Sequence, residues 1–260
     1  MEVSIDFTKS AQENANSYYQ NAKKYHKKSE GAAKAMTQME EKLNSIESEH
    51  VQQAAKTKTL HLQKKEWYEK FHWFFTSHGS LAIGGRDAQQ NELLNSKHFD
   101  ENDLFFHADI FGASVVILKG GAGADKEEKA EVAAFAASYS SAWKKMLVSV
   151  DVYAMRRDQI SKSTNKGSLG QGSFLMKGER EWYRNTPLGI AMYVMDGKLH
   201  TVPLKTAERQ KPSGAKLVMI RLGSMIKSDA AKSISKMLGY ENTDDIIQQM
   251  PAGTFEISMA

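Results

Sequence analysis

A long hydrophobic repeat near the start of the chain does most to constrain its fold. Across residues 9–48, small or apolar side chains recur alternately every four and every three residues. A sustained 3.5-residue repeat of this kind is an a/d seam and predicts one long helix that belongs to a left-handed coiled coil. The seam consists of Ala11, Ala15, Tyr18, Ala22, Tyr25, Ser29, Ala32, Met36, Met39, Leu43 and Ile46. No second segment carries so long a seam, so we expect the helix to self-associate or to pair with a helix outside this chain.

The residues after this repeat have the composition of a mixed α/β fold. Residues 51–70 are helical in composition and either continue the helix or fold back on it, and an aromatic cluster at 67–75 is expected to anchor the helix to a globular body. The expected strands cover residues 80–83, 104–107, 114–118, 148–154, 173–176, 189–195, 199–202, 216–220 and 254–258, and the expected helices cover 125–145, 228–238 and 243–249. The predicted fold is therefore α/β, with a coiled-coil arm at 1–66 and a mixed α/β body at 67–260.

Charge is distributed unevenly along the chain. The net charge is +4, but residues 140–240 hold 18 Lys and Arg against 7 Asp and Glu, a local net charge of +11. A basic stretch of this size is typical of a protein that binds a polyanion such as nucleic acid. The alternative is a solvated basic surface without a partner.

A polar loop inside the basic region is the strongest candidate for nucleic-acid contact. Residues 161–173 are rich in Gly and Ser and contain no acid, and basic residues lie on both sides. Basic side chains neutralise phosphates and an aromatic ring stacks on a base, which is the combination that RNA contact requires. Trp182 serves equally well as a core residue. The candidate RNA-binding residues of this region are Arg156, Arg157, Lys162, Lys166, Lys177, Arg180 and Trp182.

Residue content disfavours several functional classes. The chain has no cysteine, which excludes disulfides, thiolate metal sites and cysteine nucleophiles. The eight histidines lack the spacing of a zinc site, and His107 with Asp109 would need further ligands. No phosphate loop or nucleophile elbow is present, and no apolar run approaches the roughly 20 residues of a membrane helix. We therefore expect a cytoplasmic protein that is not an enzyme and uses no metal or cofactor.

Several motifs resemble the C-terminal half of the NFACT family, the group that contains the RqcH and NEMF proteins and some fibronectin-binding proteins. Residues 10–24 resemble the family's middle coiled coil, and residues 67–74 resemble the entry to its NFACT-R domain. The motifs that resemble signatures of that domain are Gly84-Gly85-Arg86-Asp87-Ala88-Gln89-Gln90-Asn91-Glu92 and His107-Ala108-Asp109-Ile110-Phe111-Gly112-Ala113-Ser114, with Gln159-Ile160-Ser161-Lys162 and Gly172-Ser173-Phe174 further along.

The resemblance implies an RNA-binding module of ribosome-associated quality control. NFACT proteins bind large ribosomal subunits obstructed by peptidyl-tRNA, recruit tRNA and promote C-terminal tailing of the nascent chain without an mRNA. The coiled coil resembles the arm that reaches across the ribosome, and NFACT-R is the domain expected to contact RNA. Large-subunit RNA and tRNA are therefore the expected partners. On this resemblance, the polar signature residues also become candidate RNA contacts: Arg86, Asp87, Gln89, Gln90, Asn91, His107 and Asp109.

The resemblance leaves alternatives open. The family's NFACT-N domain and helix-hairpin-helix segment are not in this sequence, so tailing by this chain alone is not implied. An extracellular-matrix adhesin would rest only on the fibronectin-binding name. A metal-dependent nucleic-acid enzyme would use Arg86, Asp87, His107 and Asp109, although the same residues equally suit a satisfied polar network that holds strand ends together.

Overall fold

A computed structural model describes residues 4–59, 66–164 and 167–260, without the side chains at 43–59, 164, 167–168 and 208. The chain divides into two compact units, Met1–Lys65 and Glu66–Ala260. None of the described helices combines the length and the apolar character that crossing a membrane requires.

The first unit is dominated by one helix, α1 (Ala11–Thr59). It begins with a capping box, in which the Glu13 amide donates to Ser10 Oγ at 3.3 Å and the Ser10 amide donates to Glu13 Oε2 at 2.8 Å. The predicted long helix is therefore confirmed, and it continues through residues 51–59 without folding back there.

Large apolar side chains in the described part of the α1 seam are exposed. Tyr25, Met36 and Met39 are all more than 60% exposed, which is unusual for large apolar side chains that recur on one helix face. The pairing of this seam with a second copy or with another helix stays a prediction.

The second unit contains the remaining helices and strands. Its helices are α2 (Ala88–Lys97), α3 (Lys126–Ser138), α4 (Ala207–Gln210), α5 (Lys227–Leu238) and α6 (Thr243–Gln249). Its strands are β1 (His72–Phe75), β2 (Leu81–Gly84), β3 (Leu104–Ala108), β4 (Val116–Leu118), β5 (Ser149–Arg156), β6 (Ile160–Ser161), β7 (Ser163–Thr164), β8 (Gly167–Ser168), β9 (Leu175–Met176), β10 (Glu181–Pro187), β11 (Ile190–Met195), β12 (Lys198–Pro203), β13 (Val218–Met225) and β14 (Phe255–Met259).

An antiparallel six-stranded sheet in the order β1-β2-β4-β3-β5-β10 forms the centre of this unit. Phe106 and Leu118 on one face pack with Phe135 of α3, and Phe105 and Ile117 on the other face belong to a second hydrophobic cluster. A sheet that is buried on both faces needs apolar residues at successive positions, which explains the continuous apolar runs in β3 and β4.

A second antiparallel sheet has the order β12-β11-β13-β14 and packs against α5 and α6. Its Ile190 and Val218 are fully buried in the same cluster as Phe135 and Ile234 of α5. The two sheets therefore share one hydrophobic core. The polar loop predicted at 161–173 contains one short ladder, β7 with β8, and β6 pairs with β9 where the loop begins and ends.

The predicted α/β class and the long helix before a mixed α/β body are confirmed. The longer elements that were not predicted are β1, α2 and β10, and the short β6, β7, β8 and α4 were not predicted either. The helix expected at 125–145 was predicted too long, because α3 ends at Ser138 and the chain continues as turns. The apolar pattern in the sequence continues past the end of α3 because Tyr139 and Trp143, which lie in those turns, are also buried in the core.

Candidate nucleic-acid interface

The motif at 84–92 makes internal contacts at the start of α2. Asp87 caps this helix, because its Oδ1 accepts the Gln90 amide at 2.8 Å. Gln90 Oε1 accepts the Arg86 amide at 3.1 Å, and Gln90 Nε2 donates to the Lys70 carbonyl at 3.1 Å. The motif therefore ties the segment before β1 to the N-terminus of α2.

Asn91 holds the same motif against the start of β4. Its Oδ1 accepts the Val115 amide at 3.0 Å. Gly85 lies directly against this amide group, and a Cβ at residue 85 would lie 2.2 Å from Asn91 Oδ1. The close approach therefore requires glycine. Gln89, in contrast, is exposed, and its side chain forms no hydrogen bond within the described part of the chain.

The Arg86 guanidinium lies at the centre of this network. Its Nη2 donates to the Phe71 carbonyl at 3.0 Å and its Nη1 donates to Gln248 Oε1 at 3.1 Å. The side chain is half-buried, and burial lowers its pKa from the ordinary value, although an arginine stays charged at physiological pH. Arg86, Asp87, Gln90 and Asn91 thus all form internal hydrogen bonds, and their RNA contacts stay a prediction.

His107 and Asp109 lie at the end of β3. The His107 Nδ1 atom is 3.3 Å from the Tyr153 hydroxyl, and burial lowers the pKa of the His107 imidazole. Asp109 Oδ1 is 3.8 Å from Arg180 Nη1. Among the residues that the structure describes, no group of three His, Asp or Glu side chains is arranged to hold a metal ion. The contacts of His107 and Asp109 instead join the end of β3 to Tyr153 of β5 and to the segment before β10.

Two arginines and two aromatic rings form a stacked group at the β10 edge of the sheet, here termed the arginine–aromatic cluster (Tyr153, Arg180, Trp182 and Arg184). Trp182 pairs with Tyr153 across the strands, and their ring centroids are 5.5 Å apart. The Arg184 guanidinium carbon lies 3.8 Å from the Trp182 ring centroid. The Arg180 guanidinium carbon lies 4.4 Å from the Tyr153 ring centroid. Cation–π contacts at these distances orient both charges on the surface.

Carboxylates orient the two arginines without burying them. Arg184 Nη1 donates to Asp151 Oδ2 at 2.6 Å, and this hydrogen bond holds the pKa of Asp151 below its ordinary value. The Arg184 and Arg180 side chains remain 57% and 35% exposed. Each guanidinium has five N–H donors, so donors remain available for a ligand such as a phosphate. Burial also raises the pKa of Tyr153 to about 12, which keeps its hydroxyl protonated.

Lys162 acts as an internal tether of the polar loop. Its Nζ lies 2.5 Å from Glu92 Oε2 and donates to the Gly170 carbonyl at 2.8 Å. The contact lowers the pKa of Glu92, and Nζ also lies 5.2 Å from the Phe174 ring centroid. The charge of Lys162 is therefore compensated locally. Lys166, the other lysine predicted in this loop, lies outside the described residues.

Two of the remaining basic candidates, Arg157 and Lys177, line a cleft of mixed charge. Arg157 Nη1 donates to the Ile160 carbonyl at 3.1 Å, and its guanidinium carbon lies 5.2 Å from the Phe99 ring centroid. Arg157 and Lys177 both line the cleft, and Arg156 is exposed at the end of β5. Acids on the same cleft weaken its attraction for a polyanion, so the arginine–aromatic cluster is the stronger candidate. These acids are Asp100, Glu101 and Asp158.

Sequence reasoning identified Arg180 and Trp182 but not the residues that orient them. Tyr153 lies in a strand that the pattern marks as buried, and only the pairing of β5 with β10 brings it beside Trp182. Asp151 reaches Arg184 through the same pairing. No local pattern indicates this arrangement, because β10 itself was not predicted.

Comparisons with known proteins agree with the sequence motifs. Residues 70–178 match the family described as the NFACT protein RNA binding domain. The archaeal Rqc2 homolog aRqcH of Methanocaldococcus jannaschii is 37% identical over 203 residues, which cover 75% of this chain and 30% of that protein. The ribosome quality control complex subunit NEMF homolog of Drosophila melanogaster is 33% identical over 200 residues, which cover 74% of this chain and 20% of that protein.

Among solved structures, the C-terminal part of the fibronectin/fibrinogen-binding protein from Streptococcus suis aligns with 49% of this chain and 48% of that chain. The alignment has 24% sequence identity and a TM-score of 0.40, a likeness that carries no conclusion.

The residue range that matches the domain family and the sequence identities with the relatives together assign this chain to a family. The range 70–178 contains β1 to β9 and both signature motifs, while β10 and the second sheet follow it. The chain spans less than a third of the length of the two curated relatives. The chain belongs to the NFACT family, in the group of the RqcH and NEMF proteins, and it matches the C-terminal part of its members.

Proposed function

We propose that this chain is an RNA-binding module of ribosome-associated quality control. The RNA-binding domain family that it matches and the names of its relatives support the proposal. The observation that carries it is the arginine–aromatic cluster, in which two partly exposed guanidinium groups lie against the ring of Trp182 at a sheet edge.

The chemistry of the cluster suits an RNA backbone. A guanidinium group donates two parallel N–H bonds to a phosphate, which a lysine cannot do. Asp109 and Asp151 already orient the arginines, so little side-chain freedom is lost when a phosphate binds. Trp182 is half-buried between the two charges, and its accessible part offers a base an apolar surface. We assign the Arg86 network the separate role of holding the body together.

More specifically, we propose that the module acts in the cytoplasm and binds large ribosomal subunits that are obstructed by peptidyl-tRNA. Large-subunit RNA and tRNA are the proposed partners. Recruitment of tRNA and C-terminal tailing are proposed for the longer proteins of the family, because this chain spans only 20% to 30% of the two curated relatives.

Replacing both Arg180 and Arg184 by glutamine should weaken binding of a single-stranded oligoribonucleotide by about tenfold at low salt. Each lost phosphate contact lowers the slope of log affinity against log salt by about 0.7, so the pair should lower it by about 1.4. Fluorescence anisotropy across a salt series measures both quantities.

A matched pair of lysines provides the control for this experiment. Lys97 at the end of α2 and Lys236 in α5 are exposed, and replacing both by glutamine removes the same charge. We expect the salt slope of this variant to equal that of the wild type. Equal losses in the two double variants would show a diffuse charge effect and would contradict the assignment to the cluster.

The ribosomal part of the proposal has its own measurement. The chain should co-sediment with purified large ribosomal subunits at low salt and dissociate progressively as salt rises, since counterion release opposes binding at high salt. The Arg180→Gln/Arg184→Gln variant should dissociate at lower salt than the wild type. A chain that binds oligoribonucleotides but never sediments with the subunit would restrict the proposal to RNA binding.

A further inference from the structure

Four large apolar side chains are exposed at one end of the six-stranded sheet. Phe111 is 95% exposed, Val148 74%, Met146 54% and Leu147 41%. Single exposed apolar residues are common, but a group of them at one end of a body is typical of a binding surface. We refer to these four residues as the apolar tip.

The backbone around Phe111 holds the ring in the exposed position. The Phe111 carbonyl accepts the Ser141 hydroxyl at 2.6 Å, and the Ile110 amide donates to the Ala108 carbonyl at 2.7 Å. Gly112 follows with a φ of +81°, a left-handed conformation that glycine adopts without strain. The Ser114 amide then donates to the Tyr139 carbonyl at 3.1 Å. An ordered loop therefore presents the ring, and little conformational freedom is lost when the ring binds a partner.

Strand pairing places this loop at the same sheet end as part of the arginine–aromatic cluster. The Asp109 amide donates to the Asp151 carbonyl at 2.7 Å, which extends the β3–β5 pairing toward Phe111. Asp151 is the carboxylate that orients Arg184. The start of β5 is in turn joined to the end of β10 by a bond from the Leu188 amide to the Val148 carbonyl at 3.1 Å.

The charge around the apolar tip favours an anionic partner. Lys144 and Lys145 are exposed next to Met146, and residues 141–148 contain no acid. The nearby Asp109 and Asp151 are each within ion-pair distance of an arginine. An apolar ring beside cations matches a polyanion that also carries flat apolar faces, and unpaired RNA is such a molecule.

We propose that Phe111 stacks on an unpaired base of RNA while the neighbouring lysines and Arg184 contact the flanking phosphates. This inference rests on the proposed RNA binding and names the type of RNA that the module prefers, a single-stranded or looped segment instead of a continuous duplex. A base inside a duplex has no free face for the ring, so the preference follows from stacking itself.

The test uses the full chain with Phe111→Trp and a single-stranded oligoribonucleotide. Stacking on a base should quench the added tryptophan, so the variant should lose more emission on binding than the wild type. Phe111→Ala should bind this RNA about tenfold more weakly than the wild type and should bind a duplex with unchanged affinity. Since Phe111 is almost fully exposed, neither change should affect folding.

Phe75→Trp is the matched control, because Phe75 is 41% exposed on β1 at the opposite edge of the sheet and should show no extra quenching. RNA binding that persists without extra quenching in Phe111→Trp and without loss in Phe111→Ala would overturn this inference and leave the proposed function intact. Absence of RNA binding by the wild type at low salt would overturn both. A change in Phe111→Trp emission with intact large subunits but not with their protein-free RNA would identify a protein as the partner and would also overturn the inference.

Discussion

Replacing Arg86 by alanine should lower the free energy of unfolding of the body by about 2 to 4 kcal/mol. The guanidinium donates to the carbonyls of Glu69 and Phe71 and to the side chain of Gln248. Its loss leaves the part-buried carbonyls of Glu69 and Phe71 without this donor, and a buried group without a partner costs about 1 to 3 kcal/mol. Urea denaturation followed by tryptophan fluorescence measures the change as a lower midpoint at constant slope.

Arg184→Ala is the matched control, since it removes the same side chain from an exposed position. Its ion pair with Asp151 lies at the surface, where such pairs contribute about 0 to 1 kcal/mol. Arg86→Lys should lie between the wild type and Arg86→Ala, because one ammonium cannot reach carbonyls and Gln248 in the fixed directions of a guanidinium.

The outcome also decides between the two interpretations of the signature motif. A large loss of stability supports the internal network. If Arg86→Ala unfolds like the wild type but binds RNA weakly, the internal network contributes little, and the RNA contact predicted from the motif gains support.

The sequence was sufficient to predict those helices and strands whose local pattern of apolar residues agrees with the surroundings they have in the fold. The heptad seam predicted α1 because only a coiled-coil helix places residues that recur every 3.5 positions on one face. The apolar runs at β3 and β4 predicted strands because both faces of their sheet are buried. α2 was missed because its buried side chains are few, only Leu94 and Asn95.

Edge positions explain why β1 and β10 were missed. β10 contains charged residues and carries a bulge near Asn185, whose φ is 50°, so it lacks a regular two-residue alternation. β1 lies at the opposite edge of the six-stranded sheet. It belongs to an aromatic cluster, and the composition of this cluster indicates that it is buried but not that it forms a strand.

The candidate site was only partly predictable, because its contacts are distant in sequence. The basic composition drew attention to Arg180 and Trp182, yet Arg180 meets Tyr153 through strand pairing that no local motif records. Likewise, nothing near Arg86 indicates that its side chain reaches Gln248, 162 positions away. Charge and residue type therefore suggested candidates, and only the fold separated internal contacts from accessible ones.

Acidification should destabilise the body well above the pH at which carboxylates usually protonate. His72 is buried in β1 and its ring stacks on Tyr139 with centroids 3.9 Å apart. Burial lowers the pKa of His72 from 6.5 to about 3, and repulsion from Arg86 and Lys227 acts in the same direction. Its Nδ1 is a buried atom without a hydrogen-bond partner in the described part of the chain, and the Gln249 side chain, which raises the pKa, offsets burial only in part.

The sign of the effect follows from which state binds the proton. As the pH falls below 6.5, His72 of the unfolded chain is protonated while that of the folded chain stays neutral, so folding loses free energy until the pH reaches about 3. The loss is about 1.4 kcal/mol per pH unit for one proton, or about 3 kcal/mol between pH 7 and pH 4. Burial also lowers the pKa of His107, which adds a change of the same sign.

Urea denaturation at a series of pH values measures this slope, and His72→Phe isolates the contribution of one ring. Phenylalanine keeps an aromatic ring against Tyr139 but cannot bind a proton, so its slope between pH 6 and 4 should be shallower than that of the wild type by about 1.4 kcal/mol per pH unit. Equal slopes would contradict the assignment. NMR titration of the wild-type His72 ring gives a direct check, since its resonances should not shift above pH 4.

The two predictions are coupled, because Arg86 contributes to the low pKa of His72. Arg86→Ala removes a nearby cation and opens the site to water, and both changes favour a charged imidazole. The pKa of His72 should therefore rise in Arg86→Ala, and its acid destabilisation should be smaller than that of the wild type even though its stability at pH 7 is lower. If Arg86 served only to contact RNA, its removal would leave the acid slope unchanged.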